Sequence, residues 1–184
     1  MATYAWFTLP TATPGFETPL PVETSTSTPT PAQFPTASPS PTATSISGTA
    51  ITGQVIALKI VTVRVYDTED AFVASVNVNP DGTFRFNLAA GTYTLVATAN
   101  GFLRVQGTVT LADGETRAMP VIALLAGDID DNGIIDQFDA MTVGMSYNTA
   151  EPPGADFNND GIINVLDLEI LARNYRKAGP VAWQ

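Results

Sequence analysis

The sequence of 184 residues contains neither cysteine nor histidine. Without them the chain cannot form disulfides, thiolate nucleophiles, Ser-His-Asp triads or histidine-ligated zinc sites. Basic residues are also scarce, with 8 Lys and Arg against 18 Asp and Glu, and the net charge is −10. A basic surface of the kind that binds nucleic acid is therefore absent, and we expect no nucleic-acid partner.

Long apolar runs are missing as well. No run reaches the roughly 18 residues that a helix needs to cross a bilayer, so membrane insertion is not expected. Residues 1–10 lack the basic start and the long apolar stretch of a signal peptide. We expect either a signal upstream of this sequence or a misassigned start, and a chain that is the tail of a larger secreted protein.

Residues 1–46 are rich in proline, threonine and serine. They hold nine of the 14 prolines, two acidic residues and no basic residue. Such a segment cannot bury a core and favours an extended, polyproline-like or disordered chain. The sequence therefore predicts a disordered linker over residues 1–46, with a composition that permits O-glycosylation.

Residues 47–126 alternate β-forming runs with turn signals. Phe84, Phe86 and Leu88 alternate with polar residues, which predicts that these three side chains share an inner face. Seven strands in about 80 residues predict an all-β sandwich of two packed sheets. The predicted strands are Ile51–Ala57, Val61–Asp67, Phe72–Asn77, Thr83–Leu88, Thr92–Ala99, Leu103–Leu111 and Thr116–Leu124.

Residues 128–139 and 156–167 repeat one twelve-residue pattern and are called loop one and loop two. In both, oxygen-bearing side chains occupy positions 1, 3, 5, 9 and 12, and glycine occupies position 6. This spacing lets a loop wrap one calcium ion, with a backbone carbonyl at position 7 and a final carboxylate that can bind through both oxygens. The predicted ligands are Asp128, Asp130, Asn132, the carbonyl of Ile134, Asp136 and Asp139 in loop one, and Asp156, Asn158, Asp160, the carbonyl of Ile162, Asn164 and Asp167 in loop two.

Two Ca²⁺ ions are accordingly the expected cofactors. Residues 126–184 carry a net charge of −7, so most of the excess acid lies where cations would neutralise it. Loop one has one more carboxylate than loop two, which predicts tighter calcium binding there. The alternative is an acidic surface loop without metal, and two copies in register count against it. Ile135 and Ile163, at position 8, are expected to face each other in a small shared core.

The paired loops resemble a dockerin module over residues 127–184. The last ligand is Asp rather than Glu, no amphipathic helix precedes either loop, and each loop leads directly into a helix, about Phe138–Tyr147 and Leu166–Lys177. The resemblance implies a small helical fold with two EF-hand-like calcium loops. It also implies secretion, a cohesin-type domain on a scaffold or surface protein as partner, and a cellulosome-like setting of polysaccharide degradation.

The same resemblance implies the residues that contact the partner. They are Gln137, Phe138, Thr142, Met145, Val165, Leu166, Ile170, Arg173 and Lys177. The two copies differ at positions 10 and 11, whereas many dockerins repeat a hydroxyl pair there and bind in two orientations. We therefore expect a single orientation through the second copy. For Phe138 and Leu166, packing in a local core is the alternative.

Two further expectations concern packing in this region. Helical spacing predicts Leu168, Leu171 and Tyr175 on the inner face of the second helix, with Ile170, Arg173 and Lys177 outside. Trp183 is expected to pack near Leu124–Gly127, with a disordered tail as the alternative.

The phrases Asp81–Phe86 and Ala90–Leu95 resemble a carboxypeptidase-regulatory-like or transthyretin-like sandwich. This resemblance implies a non-catalytic spacer over residues 47–126, with carbohydrate or protein binding as the alternative. The spacer and the calcium unit are expected to pack as one rigid body, because Ala126 is almost directly followed by Asp128.

Two classes of function follow from these patterns. The first is calcium-dependent docking of a secreted protein, monomeric by itself, onto a cohesin-bearing scaffold or cell surface. The second is a calcium-stabilised spacer without a dedicated partner. Paired carboxylates could hydrolyse glycosides, but the clustered acids here are assigned as metal ligands, so we expect no enzyme.

Overall fold

The computed structural model describes residues 48–184. The predicted linker, residues 1–46, lies outside the described residues. The described part is mostly β, with sandwich-like sheets and two α-helices, α1 (Gln137–Met145) and α2 (Val165–Asn174). A short 3-10 turn, Pro153–Ala155, separates them. The strands are β1 (Ala50–Ile56), β2 (Thr62–Tyr66), β3 (Phe72–Asn77), β4 (Thr83–Asn87), β5 (Gly91–Thr98), β6 (Gly101–Phe102), β7 (Val105–Leu111), β8 (Thr116–Ala118), β9 (Ile122–Ala123), β10 (Ala126–Asp128) and β11 (Val181–Ala182).

Two sheets form the sandwich. In the first, β1 lies between β4 and β8, and β9 pairs with β1 further along. The second has the order β11-β7-β5-β2-β3, with β11 running parallel to β7 and the other neighbours antiparallel. Buried residues of both sheets belong to one hydrophobic cluster. The described residues, including the two loops and helices, all fall in one compact unit.

Alternation along the strands explains which faces are buried. Phe84 and Phe86 of β4 are buried on either side of the exposed Arg85. Val63 and Val65 of β2 are likewise buried around the exposed Arg64. Side chains alternate across a strand, so one face of each sheet supplies the core and the other meets solvent. The predicted inner face of the β4 region, including Leu88, is confirmed.

The last strand predicted from the sequence, Thr116–Leu124, is wrong as one element. It is interrupted at Pro120, which has no N–H to donate to a ladder. β8 and β9 lie on either side of it and both run parallel to β1. The sequence analysis also missed β6, β10 and β11, because two- or three-residue strands carry no periodic pattern.

Both helices occur where they are predicted, with slightly different ends. α1 begins one residue earlier than expected and ends two residues earlier, and α2 begins one residue earlier and ends three earlier. Neither helix of the described residues has the length and apolar character needed to cross a membrane.

The predicted inner face of α2 is partly wrong. Leu171 is buried, but Leu168 and Tyr175 are exposed by 39% and 44%. Ile170, predicted to lie outside, packs against the core. The buried Asp167 explains the difference, because residues three and four positions after it share its face.

The predicted position of Trp183 is also wrong, and so is the alternative of a disordered tail. The Trp183 side chain is buried, and its ring meets Phe84 edge-on at 5.6 Å between ring centres. Its indole N–H donates to the carbonyl of Pro120 at 2.8 Å. Gly107 leaves space for this approach, since a Cβ there would lie 2.6 Å from the Trp183 Cβ. The prediction fails because β11 pairs with β7, so the tail lies against the sandwich and not at residues 124–127.

Candidate functional site

Loop one and loop two have the same backbone course. At position 4, Asp131 and Asn159 have φ values of 59° and 58°, and at position 6, Gly133 and Gly161 have 83° and 90°. These are left-handed conformations, which glycine adopts freely and which Asp and Asn tolerate better than most residues. The repeated sequence pattern therefore produces a repeated fold of the chain.

The first residue of each loop binds the glycine of its own loop. The Gly133 N–H donates to Asp128 Oδ2 at 3.1 Å, and the Gly161 N–H donates to Asp156 Oδ2 at 2.9 Å. Asp128 ends β10, which pairs with β6 in a separate two-stranded sheet. β6 lies between β5 and β7 in the chain, so this small sheet connects the start of loop one to the sandwich.

The twelfth residue of loop one ties the loop to α1. Asp139 Oδ1 accepts from the Ile129 N–H at 2.7 Å, and Asp139 Oδ2 accepts from the Asp136 N–H at 2.9 Å. Asp136 in turn caps α1 by accepting from the Phe138 N–H. This reciprocal arrangement is a capping box, which satisfies N–H groups that the first helical turn cannot satisfy itself.

Loop two repeats this arrangement at α2. Asp167 accepts from the Phe157 N–H at 2.7 Å and from the Asn164 N–H at 2.9 Å. Asn164 caps α2 by accepting from the Leu166 N–H. Position 9 therefore caps the helix and position 12 closes the loop in both copies.

Four carboxylates of the described residues are buried, and they occupy positions 1 and 12 of the two loops. Asp128, Asp139, Asp156 and Asp167 are between 0% and 7% exposed. Buried carboxylates cost several kcal/mol unless a cation or hydrogen bonds compensate their charge. Such a placement is typical of residues that hold a cation.

Asp128 lacks full compensation. Its Oδ1 is buried and has no hydrogen-bond partner. Burial raises the pKa of Asp128, and the negative charge of Asp139 raises it further, while the Gly133 N–H acts in the opposite direction. An unpartnered oxygen beside a second carboxylate fits a site for a cation.

Loop one gathers three carboxylates around one point. One oxygen from each of Asp128, Asp130 and Asp139 lies within 4.8 Å of the others. Beside them, Asn132 Nδ2 donates to Asp130 Oδ2 at 3.0 Å, and Asn132 Oδ1 accepts from the Ile134 N–H. Oxygen donors of this kind and number are those that Ca²⁺ prefers.

Loop two has a different internal pattern at the equivalent positions. Asn158 Nδ2 donates to Asp160 Oδ2 at 2.8 Å, and this bond lowers the pKa of Asp160. Both oxygens of Asp156 accept backbone N–H groups, from Asp160 and Gly161. The Ile162 carbonyl, the predicted position 7 ligand, accepts from Asn164 Nδ2 at 3.2 Å. The polar groups of loop two thus find more hydrogen-bond partners within their own loop than those of loop one.

The two position 8 isoleucines are fully buried in the same core. Ile135 donates its N–H to the Lys177 carbonyl at 2.9 Å, after α2, and Ile163 donates to the Thr149 carbonyl at 2.7 Å, after α1. Each loop is therefore bonded to the segment that follows the helix of the other loop. This crossed pairing couples the loops through the backbone. The two isoleucines lie in the same large core as the sandwich residues, and not in a small core of their own as predicted.

The residues predicted to contact a partner lie on both helices and are mostly exposed. Phe138 and Leu166 are 56% and 49% exposed, so the alternative of packing in a local core is wrong. Met145 and Val165 are more exposed still. Gln137, Arg173 and Lys177 are also exposed, and Thr142 and Ile170 are partly buried.

Sequence reasoning missed two basic residues of the sandwich that reach the loops. Arg104 forms a two-bond ion pair with Asp131 in loop one. Lys59 donates to the carbonyl of Pro153, just before loop two. These contacts join residues 27 and 94 positions apart, and no local pattern marks either base.

Comparison with known proteins identifies the sandwich. Residues 45–124 match the carboxypeptidase regulatory-like domain, so such a domain is present in this chain. The resemblance stated for residues 47–126 is confirmed to this extent. No curated protein matches the sequence.

Two solved structures are similar to most of the chain. Both are crystal structures of type II cohesin–X-dockerin complexes from Acetivibrio cellulolyticus, one a C-terminal and one an N-terminal interface mutant. The identities are 23% and 22%, and the TM-scores are 0.59 and 0.57. Each match covers 71% of this chain and 97% of the solved chain. At this identity the likeness concerns the fold, and it supports a cohesin-like β fold.

The comparison corrects the predicted partner. The likeness is to the cohesin-like side of complexes in which a cohesin meets a dockerin, and the prediction of a cohesin-type partner is therefore wrong. Carboxypeptidase regulatory-like and cohesin-like folds are both non-catalytic modules.

Proposed function

We propose that residues 127–184 form a calcium-dependent protein-interaction unit, built on a dockerin-like pair of EF-hand-like loops and carried by the β-sandwich of a secreted protein. The observation that carries this proposal is the set of four buried carboxylates at equivalent positions of two matching loops. One of their oxygens, Asp128 Oδ1, is buried without a partner. Two divalent cations would compensate this charge.

The ligand sets fit calcium better than other common metals. Loop one would use Asp128, Asp130, Asn132, Asp136 and Asp139, together with the Ile134 carbonyl. Loop two would use the equivalent residues from Asp156 to Asp167. All these donors are oxygens, whereas Zn²⁺ and Cu²⁺ favour sulfur or nitrogen, which a chain without cysteine or histidine cannot supply from those side chains.

Calcium would act here on stability and shape. When bound it supplies positive charge between carboxylates that otherwise repel one another. If a site has a dissociation constant of about 1 μM and free calcium is about 1 mM, binding stabilises the folded state by about 4 kcal/mol. A small domain is stable by only about 5–15 kcal/mol in total, so two such sites would decide whether this unit is folded.

The surface available to a partner lies on the two helices that the loops hold. Phe138 and Met145 of α1 and Val165 and Leu166 of α2 expose large apolar side chains. Exposed apolar groups of this size on a folded unit are typical of interaction surfaces. Because calcium closes both loops and each loop starts a helix, the surface would exist only in the calcium-bound form. Millimolar calcium outside cells makes an extracellular location the natural one.

Chelation tests the calcium part of the proposal. We expect excess chelator to remove the helical circular-dichroism signal of residues 137–174 and re-addition of Ca²⁺ to restore it. Glu151→Ala is a matched control, since it removes an exposed acid outside the ligand set and should leave the calcium response unchanged. A helical signal that does not respond to excess chelator would contradict the proposal.

A capture experiment tests the interaction part. Immobilised protein would be exposed to the extracellular proteins of the source organism, with calcium and with chelator. We expect a partner that binds only with calcium and that is lost in Leu166→Asp but retained in Thr94→Asp, a substitution on the sandwich. The purified partner should then reproduce the binding. Equal capture by both variants would count against this surface.

A second function, a calcium-stabilised spacer without a dedicated partner, is favoured by one observation. The tail from β11 to Trp183 returns to the sandwich, pairs there with β7 and buries the Trp183 side chain. Such a return would stiffen the described part of the chain whether or not a partner binds. This function predicts calcium-dependent stability together with no calcium-dependent capture.

A further inference from the structure

Lys59 lies in the connection between β1 and β2, and its side chain reaches the residues around loop two. Its ammonium donates to the carbonyl of Pro153, in the 3-10 turn that leads into Asp156, and to the carbonyl of Asn100 at 3.4 Å. The same nitrogen lies 5.8 Å from the centre of the Phe157 ring. These contacts hold the cation in one place instead of leaving it free in solvent.

The ammonium of Lys59 lies in the electric field of two loop two carboxylates. Burial lowers the pKa of Lys59, and the negative charges of Asp156 and Asp167 partly oppose that shift. Both aspartates are buried and are assigned above as the first and last ligands of loop two. Geometry agrees, because the Phe157 ring beside the ammonium belongs to the residue that follows Asp156 and whose N–H donates to Asp167 at 2.7 Å. The half-buried cation therefore lies near the carboxylates that a metal ion would approach, in a region where solvent screens charges only partly.

Loop one has a different basic neighbour. Arg104 pairs with Asp131, which occupies position 4 and is not an assigned ligand, and the two side chains are 55% and 59% exposed. Exposed pairs of this kind contribute little. Asp128 Oδ1 remains unpartnered. Among the described residues, the buried carboxylates of the two loops thus differ in how well they are compensated without metal.

We propose that Lys59 is a built-in counter-ion of loop two, which stabilises that loop in the absence of calcium and weakens its calcium affinity. This inference rests on the proposed calcium function and deepens it. The ammonium offsets part of the repulsion between Asp156 and Asp167, so closing loop two without metal costs less free energy. The fixed positive charge also repels an approaching Ca²⁺ ion and so weakens its binding.

The size of the effect follows from Coulomb's law. A repulsion of about 1.4 kcal/mol between this fixed charge and the divalent ion would change the dissociation constant about tenfold. Arg104 also interacts with the charge of Asp128, but it is exposed and already paired with Asp131, so loop one would fill at lower calcium concentrations. The unit would therefore respond to calcium in two steps.

Three variants of the full chain test this inference. Lys59→Met removes the charge and keeps an unbranched side chain beside the Phe157 ring. Lys59→Arg keeps the charge. Arg117→Met removes one positive charge from a surface ion pair with Glu115 on the sandwich, and so controls for net charge. The amide signals of Gly133 and Gly161 report the two loops separately in calcium titrations by NMR, since each N–H donates to the first aspartate of its loop.

In Lys59→Met we expect the calcium dissociation constant that the Gly161 amide reports to fall about tenfold. The dissociation constant that the Gly133 amide reports should stay unchanged. At a calcium concentration that fills loop one only, the melting temperature of this variant should fall below that of the wild type, and in saturating calcium it should not. Lys59→Arg and Arg117→Met should behave like the wild type, and the effect of Lys59→Met should shrink in high salt. A residue that is only structural would lower both the stability and the affinity.

Two results would overturn the inference. If the wild type binds calcium at both loops and Lys59→Met leaves the Gly161 titration unchanged or weaker, the counter-ion role is wrong while the calcium function stands. If neither amide of the wild type responds to calcium, the calcium function itself fails, and this inference fails with it.

Discussion

At the scale of single residues, the two loops differ although their sequences repeat. Asp128 keeps one buried oxygen without a partner, whereas both oxygens of Asp156 accept backbone N–H groups. Loop one also has Asp136 where loop two has the neutral Asn164. A metal ion therefore relieves more unfavourable charge in loop one than in loop two.

Single substitutions at position 1 test this difference. Asp156→Ala should leave loop one intact and Asp128→Ala should leave loop two intact, so each variant reports the affinity of the other loop. We expect loop one, the site that remains in Asp156→Ala, to bind calcium roughly tenfold more tightly than loop two, the site that remains in Asp128→Ala. The reason is that loop one directs more carboxylate charge at the ion. Isothermal titration calorimetry on both variants measures this, and a weaker remaining site in Asp156→Ala would reverse the order.

The sequence could predict the loop residues but not their neighbours. Positions 1 to 12 lie close in sequence, so their spacing alone indicates a wrapped cation. Lys59 and Arg104 meet the loops only because the sandwich folds back onto them, and their contacts depend on tertiary structure. Trp183 is a similar case, since its burial depends on the pairing of β11 with β7.

At the scale of elements, strand alternation and the positions of the loops explain most of what was predicted correctly. The pattern around Phe84 and Phe86 placed β4 and its buried face, and the ends of the two loops placed the starts of both helices to within one residue. Errors occurred where another interaction overrode the local sequence pattern. The last predicted strand is divided at Pro120, which cannot donate to the sheet, and the burial of Asp167 places Leu171 and not Leu168 on the inner face of α2.

The helix α1 carries a weak point that can be repaired. Gly144 lies within α1, and a Cβ added there would meet nothing within 4 Å. Gly144→Ala should therefore raise the free energy of unfolding by about 1 kcal/mol, because alanine loses less backbone freedom on folding. Denaturant unfolding in saturating calcium measures the change. Met141→Ala, at an exposed position of the same helix, is the control and should change stability by less than about 0.5 kcal/mol.

At the scale of the whole described structure, residues 127–184 and the sandwich share backbone and side-chain contacts. β10 pairs with β6, the Phe102 and Phe157 rings meet edge-on at 6.4 Å, and Asn174 donates to the Ala126 carbonyl at 2.8 Å. The chain between the two parts has no room for a hinge. We therefore expect small-angle scattering of residues 48–184 in calcium to fit one rigid body, as the sequence analysis predicts.

Substitution of Gly101, which lies close to the backbone of Gly154, tests how tightly the two parts pack. Gly101 has a φ of 82°, and a Cβ there would overlap the backbone carbonyl of Gly154 in the turn before loop two. Gly114 has a φ of 74° and open space around it, so Gly114→Ala measures the backbone cost alone. We expect about 1 kcal/mol of destabilisation for Gly114→Ala and roughly 3 kcal/mol for Gly101→Ala. Thermal unfolding in calcium compares them, and equal effects would mean that the junction is looser than described.

The burial of Trp183 has a practical consequence. The indole is enclosed by Phe84 and bonded to Pro120, both of which belong to the sandwich. Indole fluorescence shifts to longer wavelength when the ring enters water, and the chain has only one other tryptophan, Trp6. With Trp6 replaced by phenylalanine, the emission maximum reports Trp183 alone. A shift to longer wavelength on calcium removal would mean that the last residues detach from the sandwich, and an unchanged maximum would mean that they stay bound while the helices unfold.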